Sequence, residues 1–175
     1  MIHVLNTMPA LARARTRTSA PLRSARIELE RWLARIRFDD LGGIDDLRDP
    51  SGDARRSYLR LPTRADCEAW LICWPIGSSA PLHDHGGADG VAAVLTGQLH
   101  ERRYLASAQR WIEQAWKPGA IIELAVPTCH AVHNLEPRVS YSIHVYAPRL
   151  DSMTFYEQNA EGGIERVRQE ARSEW

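Results

Sequence analysis

Apolar positions recur at helical spacing in one early segment of the chain. From about Ala20 to Phe38, Leu22, Ile27, Leu29, Trp32, Leu33 and Ile36 fall three to four residues apart among charged neighbours. This periodicity predicts an amphipathic helix over about 20–38, with Ser19 as its cap and Pro21 in its first turn. Before it, residues 1–18 carry no clear pattern and read as a poorly specified tail. After it, Asp39–Gly52 is rich in Asp and Gly and reads as a loop with at most a short helical turn. Beyond Ser57 the texture changes. Short runs rich in Val, Ile, Trp and Tyr, broken by Pro and Gly, predict strands at Ala69–Pro75, Gly90–Leu95, Gln98–Leu105, Arg110–Ala115, Ala120–Leu124 and Val139–Ala147.

Strands at this density without interleaved helices predict an all-β domain, a sandwich or barrel of the jelly-roll kind behind an N-terminal helical segment. The expected organisation is a tail at 1–18, one domain at 19–160 and a charged end at 161–175, either a short helix or disordered. No internal repeat or low-complexity block is present.

Charge narrows the partners. With 22 basic and 22 acidic residues the formal net charge is zero, which gives no basis for a nucleic-acid groove or an anionic membrane surface. There is no apolar run of transmembrane length, and no apolar core follows the early arginines Arg13, Arg15, Arg17, Arg23 and Arg26, as a secretory signal would require. Cys67, Cys73 and Cys129 are an odd number without CxxC spacing. They fit a reducing, cytoplasmic setting better than a disulfide framework.

The histidines carry the chemistry. His83-Asp-His85 puts two imidazoles on one side of an extended chain, where they can share a metal ion, and Asp84 on the other. In Cys129-His130-Ala-Val-His133-Asn134, alternation sends His130 and His133 to opposite faces if the segment is extended, so only one of them joins the first pair. His133 reads as a surface or hydrogen-bonded residue, and His3 and His100 as structural or solvated. Ser142, His144 and Tyr146 share one face of a strand and can form a hydrogen-bond chain ending at a phenol. Tyr58-Leu-Arg60 likewise sets a phenol beside a guanidinium, the natural fork for a carboxylate.

The spacing Gly77, five residues, His83-x-His85, four residues, Gly90, then Gly97 resembles the first cupin motif. His130, three residues, Asn134 resembles the end of the second. Many cupins place a Glu ligand where this chain has Gly90, which cannot ligate. That leaves three neutral imidazoles, a set suited to an electron-rich anionic ligand such as a thiolate on ferrous iron, although zinc also accepts it.

Taken in order, Tyr58-x-Arg60, Cys73-Trp74, His83-Asp-His85, His130 and Ser142-x-His144-x-Tyr146 resemble the cysteine dioxygenase family over about Tyr58 to Pro148. The resemblance implies Fe(2+) on His83, His85 and His130. It implies a substrate carboxylate held by Arg60, with Tyr58 and Tyr146 also facing the substrate, and a Ser142–His144–Tyr146 relay beside the metal. The reaction it implies adds both atoms of dioxygen to the sulfur of L-cysteine, giving L-cysteine sulfinate, in an enzyme expected to act as a monomer. Animal members carry a cysteine at the Gly90 position that crosslinks to the relay tyrosine, so Tyr146 is expected to be unmodified, as in bacterial-type members. Cys73 and Cys129 are expected to play no catalytic part. A related branch oxidises 3-mercaptopropionate and has glutamine where Arg60 stands. The other readings are a non-catalytic metal-binding cupin sensor and a different metal-dependent cupin enzyme. Pro148 marks the turn beyond the relay strand, where a cis bond is one option.

Overall fold

The computed structural model describes residues 18–36, 55–64 and 66–174. The tail at 1–17, the Asp39–Gly52 loop and the last two residues of the expected helix lie outside them. Helix α1 spans Ala20–Leu33, and the Oγ of Ser19 caps it by accepting from Leu22 N at 3.0 Å. Ser19 also donates to the carboxylate of Asp89, tying the start of the helix to the strands beneath.

Among the described residues eleven strands follow, β1 (Ser57–Leu61), β2 (Glu68–Trp74), β3 (Ser79–His83), β4 (Asp89–Thr96), β5 (Leu99–Leu105), β6 (Arg110–Trp116), β7 (Ile121–Leu124), β8 (Cys129–His133), β9 (Ser140–Ala147), β10 (Ser152–Gln158) and β11 (Ile164–Ala171). They form two antiparallel sheets in the orders β1-β2-β9-β4-β7 and β11-β10-β3-β8-β5-β6. The fold is therefore the expected all-β jelly-roll barrel with one N-terminal helix. The charged end, expected as a short helix or a disordered tail, is instead β11, paired along its length with β10. Charge on both of its faces suits a sheet edge, where it deters pairing with another chain.

Strand β9 explains why the site sits where it does. All eight of its residues are buried because both faces are covered. Ile143 and Val145 point outward and pack with Leu22, Ala25 and Leu29 of α1 over Leu71 and Val91. Ser140, Ser142, His144 and Tyr146 point into the barrel. There a second core of Trp74, Val94, Leu99, Trp116, Leu124 and Val132 joins the two sheets. Burial of these large side chains contributes roughly 1.5–3 kcal/mol each, which makes the barrel wall a rigid mount for the polar groups set into it. The Val126–Pro127 and Ala147–Pro148 peptides are cis.

Candidate metal centre

At one end of the barrel interior three histidines converge. His83 ends β3 and His130 lies directly opposite it on β8, as registered partners. His85 follows two residues beyond β3, in the turn that Asp84 holds by accepting from Gly86 N (2.9 Å) and from the hydroxyl of Tyr156 (2.7 Å). Asp84 thus faces away from the cluster, as alternation predicts. Between them the three imidazoles offer one nitrogen each, all within 4.8 Å of one another.

Hydrogen bonds select which nitrogen faces inward. His83 Nδ1 donates to the Pro81 carbonyl at 2.7 Å, and His130 Nδ1 donates to Glu101 Oε1 at 2.7 Å. Each therefore keeps its Nε2 lone pair for the centre. His85 is 3% exposed and its Nε2 has no hydrogen-bond partner among the described residues. A buried polar atom without a partner is costly, and a metal ion shared with the other two nitrogens removes that cost. Burial pushes His83 down to about 4, with Arg56 adding to the effect, and drives His85 and His130 well below the ordinary histidine value, the neighbouring imidazoles adding to the effect on these two. All three are therefore neutral ligands at physiological pH, and the donor set fits a divalent ion.

Beside them runs the β9 relay. Tyr146 stacks 4.9 Å from the His85 ring, centroid to centroid. Its hydroxyl lies 3.3 Å from His144 Nδ1, and His144 Nε2 lies 3.0 Å from Ser142 Oγ. Trp74 Nε1, which can only donate, donates to Ser142 Oγ at 2.8 Å. Ser142 keeps its own proton to give, and where it gives it to His144 Nε2, His144 donates from Nδ1 to the Tyr146 oxygen. In that tautomer the phenolic proton is free to point at whatever occupies the centre. Burial holds His144 down to about 3 and pushes the Tyr146 phenol far up, so neither ionises at neutral pH.

A cavity of about 630 Å³ opens onto this constellation. Strand β1 forms part of its wall, and alternation puts Arg56, Tyr58 and Arg60 on the same side. Arg60 and Tyr58 are both exposed at the rim, the Tyr58 ring lying edge-on to Trp70 at 6.5 Å. The deeper cation is Arg56, which the pattern of residues alone did not single out. Its guanidinium lies 5.0 Å from the Trp74 ring and 5.3 Å from that of Tyr58. Its charge reaches Tyr146, His83 and His144. The signal was present in the two-residue period of Arg56-x-Tyr58-x-Arg60. Glu101 shares a strand face with the inward Leu99, which is the signal in the residue pattern that it too is buried.

The model of the family described as cysteine dioxygenase type I matches residues 54–159. The chain belongs to the cysteine dioxygenase type I family. The match spans both histidine segments and the relay, and with the three-histidine cupin site it makes this family member a thiol dioxygenase in class. Among solved structures it resembles oxalate oxidase (12% identity, 69% of this chain and 68% of that one, TM-score 0.55). It also resembles TT1209 of Thermus thermophilus (20% identity, 61% and 94%, TM-score 0.50) and KdgF of a Halomonas species (20% identity, 63% and 93%, TM-score 0.51). These likenesses, all below 25% identity, concern the barrel fold alone.

Among the described residues, His100 and His133 of the cysteine dioxygenase family member lie away from this centre. His133 pairs with His100 across β8 and β5 on the other side of the sheet, and His100 Nε2 lies 3.2 Å from Glu136. Burial raises Cys129 to about 12 and Cys67 to about 11, which leaves them unreactive thiols. Among the described residues no helix is long and apolar enough to cross a membrane.

Proposed function

We propose that this protein oxidises L-cysteine to L-cysteine sulfinate with dioxygen, using Fe(2+) held by His83, His85 and His130. The observation that carries this reading is a buried set of three neutral imidazoles, with no carboxylate ligand, beside a relay phenol and below an arginine-lined cavity. Both oxygen atoms end on sulfur, so the thiol and dioxygen balance the reaction and no outside reductant is consumed.

When bound, ferrous iron would supply a shared attachment point for thiol and dioxygen and lower the pKa of the thiol. The chain does the rest. Arg56, with Arg60 further out and Tyr58 between them, draws the substrate carboxylate to the β1 wall and so orients the thiol toward the histidines. Tyr146 donates its free proton into the centre, its oxygen held by His144 and its direction set by Ser142 and Trp74. Trp70, Leu150, Met153 and Phe155 line the approach with apolar surface, which strengthens these contacts by excluding water. All three histidines and the whole relay come from one chain, so the monomer we propose carries a complete site. The buried thiols of Cys67 and Cys129 support a reducing, cytoplasmic setting.

The test is anaerobic purification with iron quantitation, then oxygen uptake and sulfinate formation with L-cysteine and 3-mercaptopropionate side by side. Iron near one per chain with faster turnover of L-cysteine is expected. Preference for 3-mercaptopropionate would overturn the substrate, and iron-free inertness toward both thiols would favour a binding or sensing cupin.

A further inference from the structure

A carboxylate taken fully out of water must be compensated by several donors. The side chain of Glu101 is 0% exposed, and its donors are unusually complete. Oε1 accepts from Arg103 Nη2 at 2.8 Å and Nε at 3.1 Å, and Oε2 accepts from Trp116 Nε1 at 3.2 Å and from the Gln114 amide. The remaining partner is His130 Nδ1 at 2.7 Å. Arg103, Gln114 and Trp116 reach the carboxylate without help from the imidazole, whereas Glu101 is what holds the Nδ1 of His130.

The three ligands therefore differ in what stands behind them. His83 donates to the neutral Pro81 carbonyl, while His130 donates to a charged carboxylate whose countercharge, Arg103, is 16% exposed. A carboxylate behind an imidazole fixes its tautomer and ring plane and makes the far nitrogen a stronger donor. Gly90 supplies no carboxylate to the centre itself.

We infer that Glu101 is a positioning residue that places a negative charge one imidazole away from the metal, fixing His130 with its proton on Nδ1 and raising the affinity of the centre. Arg103 moderates how much of that charge His130 feels. The inference rests on the proposed function only in requiring that the three histidines hold a divalent ion.

The experiment uses the full chain stripped of metal and titrated with Co(2+) against a competing chelator. Glu101→Gln keeps the shape and removes the charge, and should weaken Co(2+) binding about 10- to 100-fold. Arg103→Gln removes the moderating charge and should leave binding equal or tighter. A merely structural role would weaken both together. Binding of Glu101→Gln within threefold of the parent, or equal weakening of both variants, overturns the inference. If Glu101→Gln does not fold, the ¹⁵N-histidine spectrum of the metal-free parent decides: His130 carrying its proton on Nδ1 supports the inference, and on Nε2 overturns it. Tight Co(2+) binding in a parent that oxidises no thiol when iron-loaded would remove the proposed function and leave the role of Glu101 standing.

Discussion

The ring of Tyr146 lies against the bare α-carbon of Gly90, its registered neighbour across β4 and β9. A Cβ on Gly90 would stand 2.9 Å from Tyr146 Cδ1, 3.0 Å from Cε1 and 3.3 Å from Leu124 Cβ. The position that in many cupins holds a metal-binding glutamate is thus closed by the relay tyrosine itself. The missing ligand and the placed phenol are one packing arrangement.

Gly90→Ala should therefore disturb Tyr146 while sparing the histidines, none of which is among the nearest neighbours of the added carbon. Overpacking of this kind costs about 1–3 kcal/mol. The expected result is a lowered melting temperature, retained metal content and a turnover loss approaching that of Tyr146→Phe. Unchanged turnover would show that the ring has room to spare.

Removing any one ligand tests the centre directly. His85→Ala is the sharpest case, because His85 Nε2 has no other partner among the described residues. The metal-free variant should fold at least as well as the parent, since an orphaned buried nitrogen is lost. Its metal content after loading should fall close to zero, measured by elemental analysis. Full occupancy would remove His85 from the ligand set.

Tyr146→Phe isolates the phenolic proton. The ring and its stacking on His85 remain, so metal content should hold, while kcat falls about 10- to 100-fold for loss of one well-aimed hydrogen bond. Steady-state oxygen uptake reads the rate. Parental turnover would mean that the Ser142–His144–Tyr146 chain is a structural ladder in the barrel wall.

The two arginines of the β1 wall differ in depth, and their variants should differ too. Arg56→Gln should raise KM for L-cysteine at least about tenfold, because its guanidinium sits over Trp74 within reach of the relay and its loss removes a charge-assisted contact. Arg60→Gln should cost less, since an exposed charge is weakened by solvent, and should shift preference toward 3-mercaptopropionate. An effect of Arg60→Gln equal to that of Arg56→Gln would reverse this order of depth.

The same residues show how far the amino-acid pattern alone carries. Strand β2 stands out because both of its faces are covered and nearly every residue is apolar or aromatic, and β9 because Tyr141, Ile143 and Val145 alternate with Ser142, His144 and Tyr146. Helix α1 stands out because only one of its faces packs. Strand β3 is obscured by Pro81, which cannot donate to a ladder, and β11 by the charges that suit its exposed edge. The His83–His85 pair and the Ser142, His144 and Tyr146 file are readable from two-residue spacing. Arg56 escapes notice because Tyr58-x-Arg60 already supplies a phenol and a guanidinium, and depth along a strand is set by its neighbours in space. Glu101 escapes notice because a glutamate between His100 and Arg102 looks solvated until β6 and β8 close around it.

The buried histidines make a last prediction about acid. Burial holds His83 down to about 4 and His144 down to about 3, and drives His85 and His130 well down. In the unfolded chain each titrates at about 6.5. Below that pH the unfolded chain takes up protons that the folded chain refuses, so stability falls as pH drops toward the folded values. Above it both states are neutral and the contribution is flat. Each such histidine adds about 1.4 kcal/mol per pH unit to the slope within its window. Carboxylates protonate mainly below about pH 5, so the interval from about pH 6.5 to 5 reads the histidines alone. Urea midpoints of the metal-free protein should be level from about pH 8 to 7 and decline steeply through that interval. A level profile down to about pH 5 would mean that the imidazoles charge in the folded state, and a centre open to water rather than sealed in the barrel would then be required.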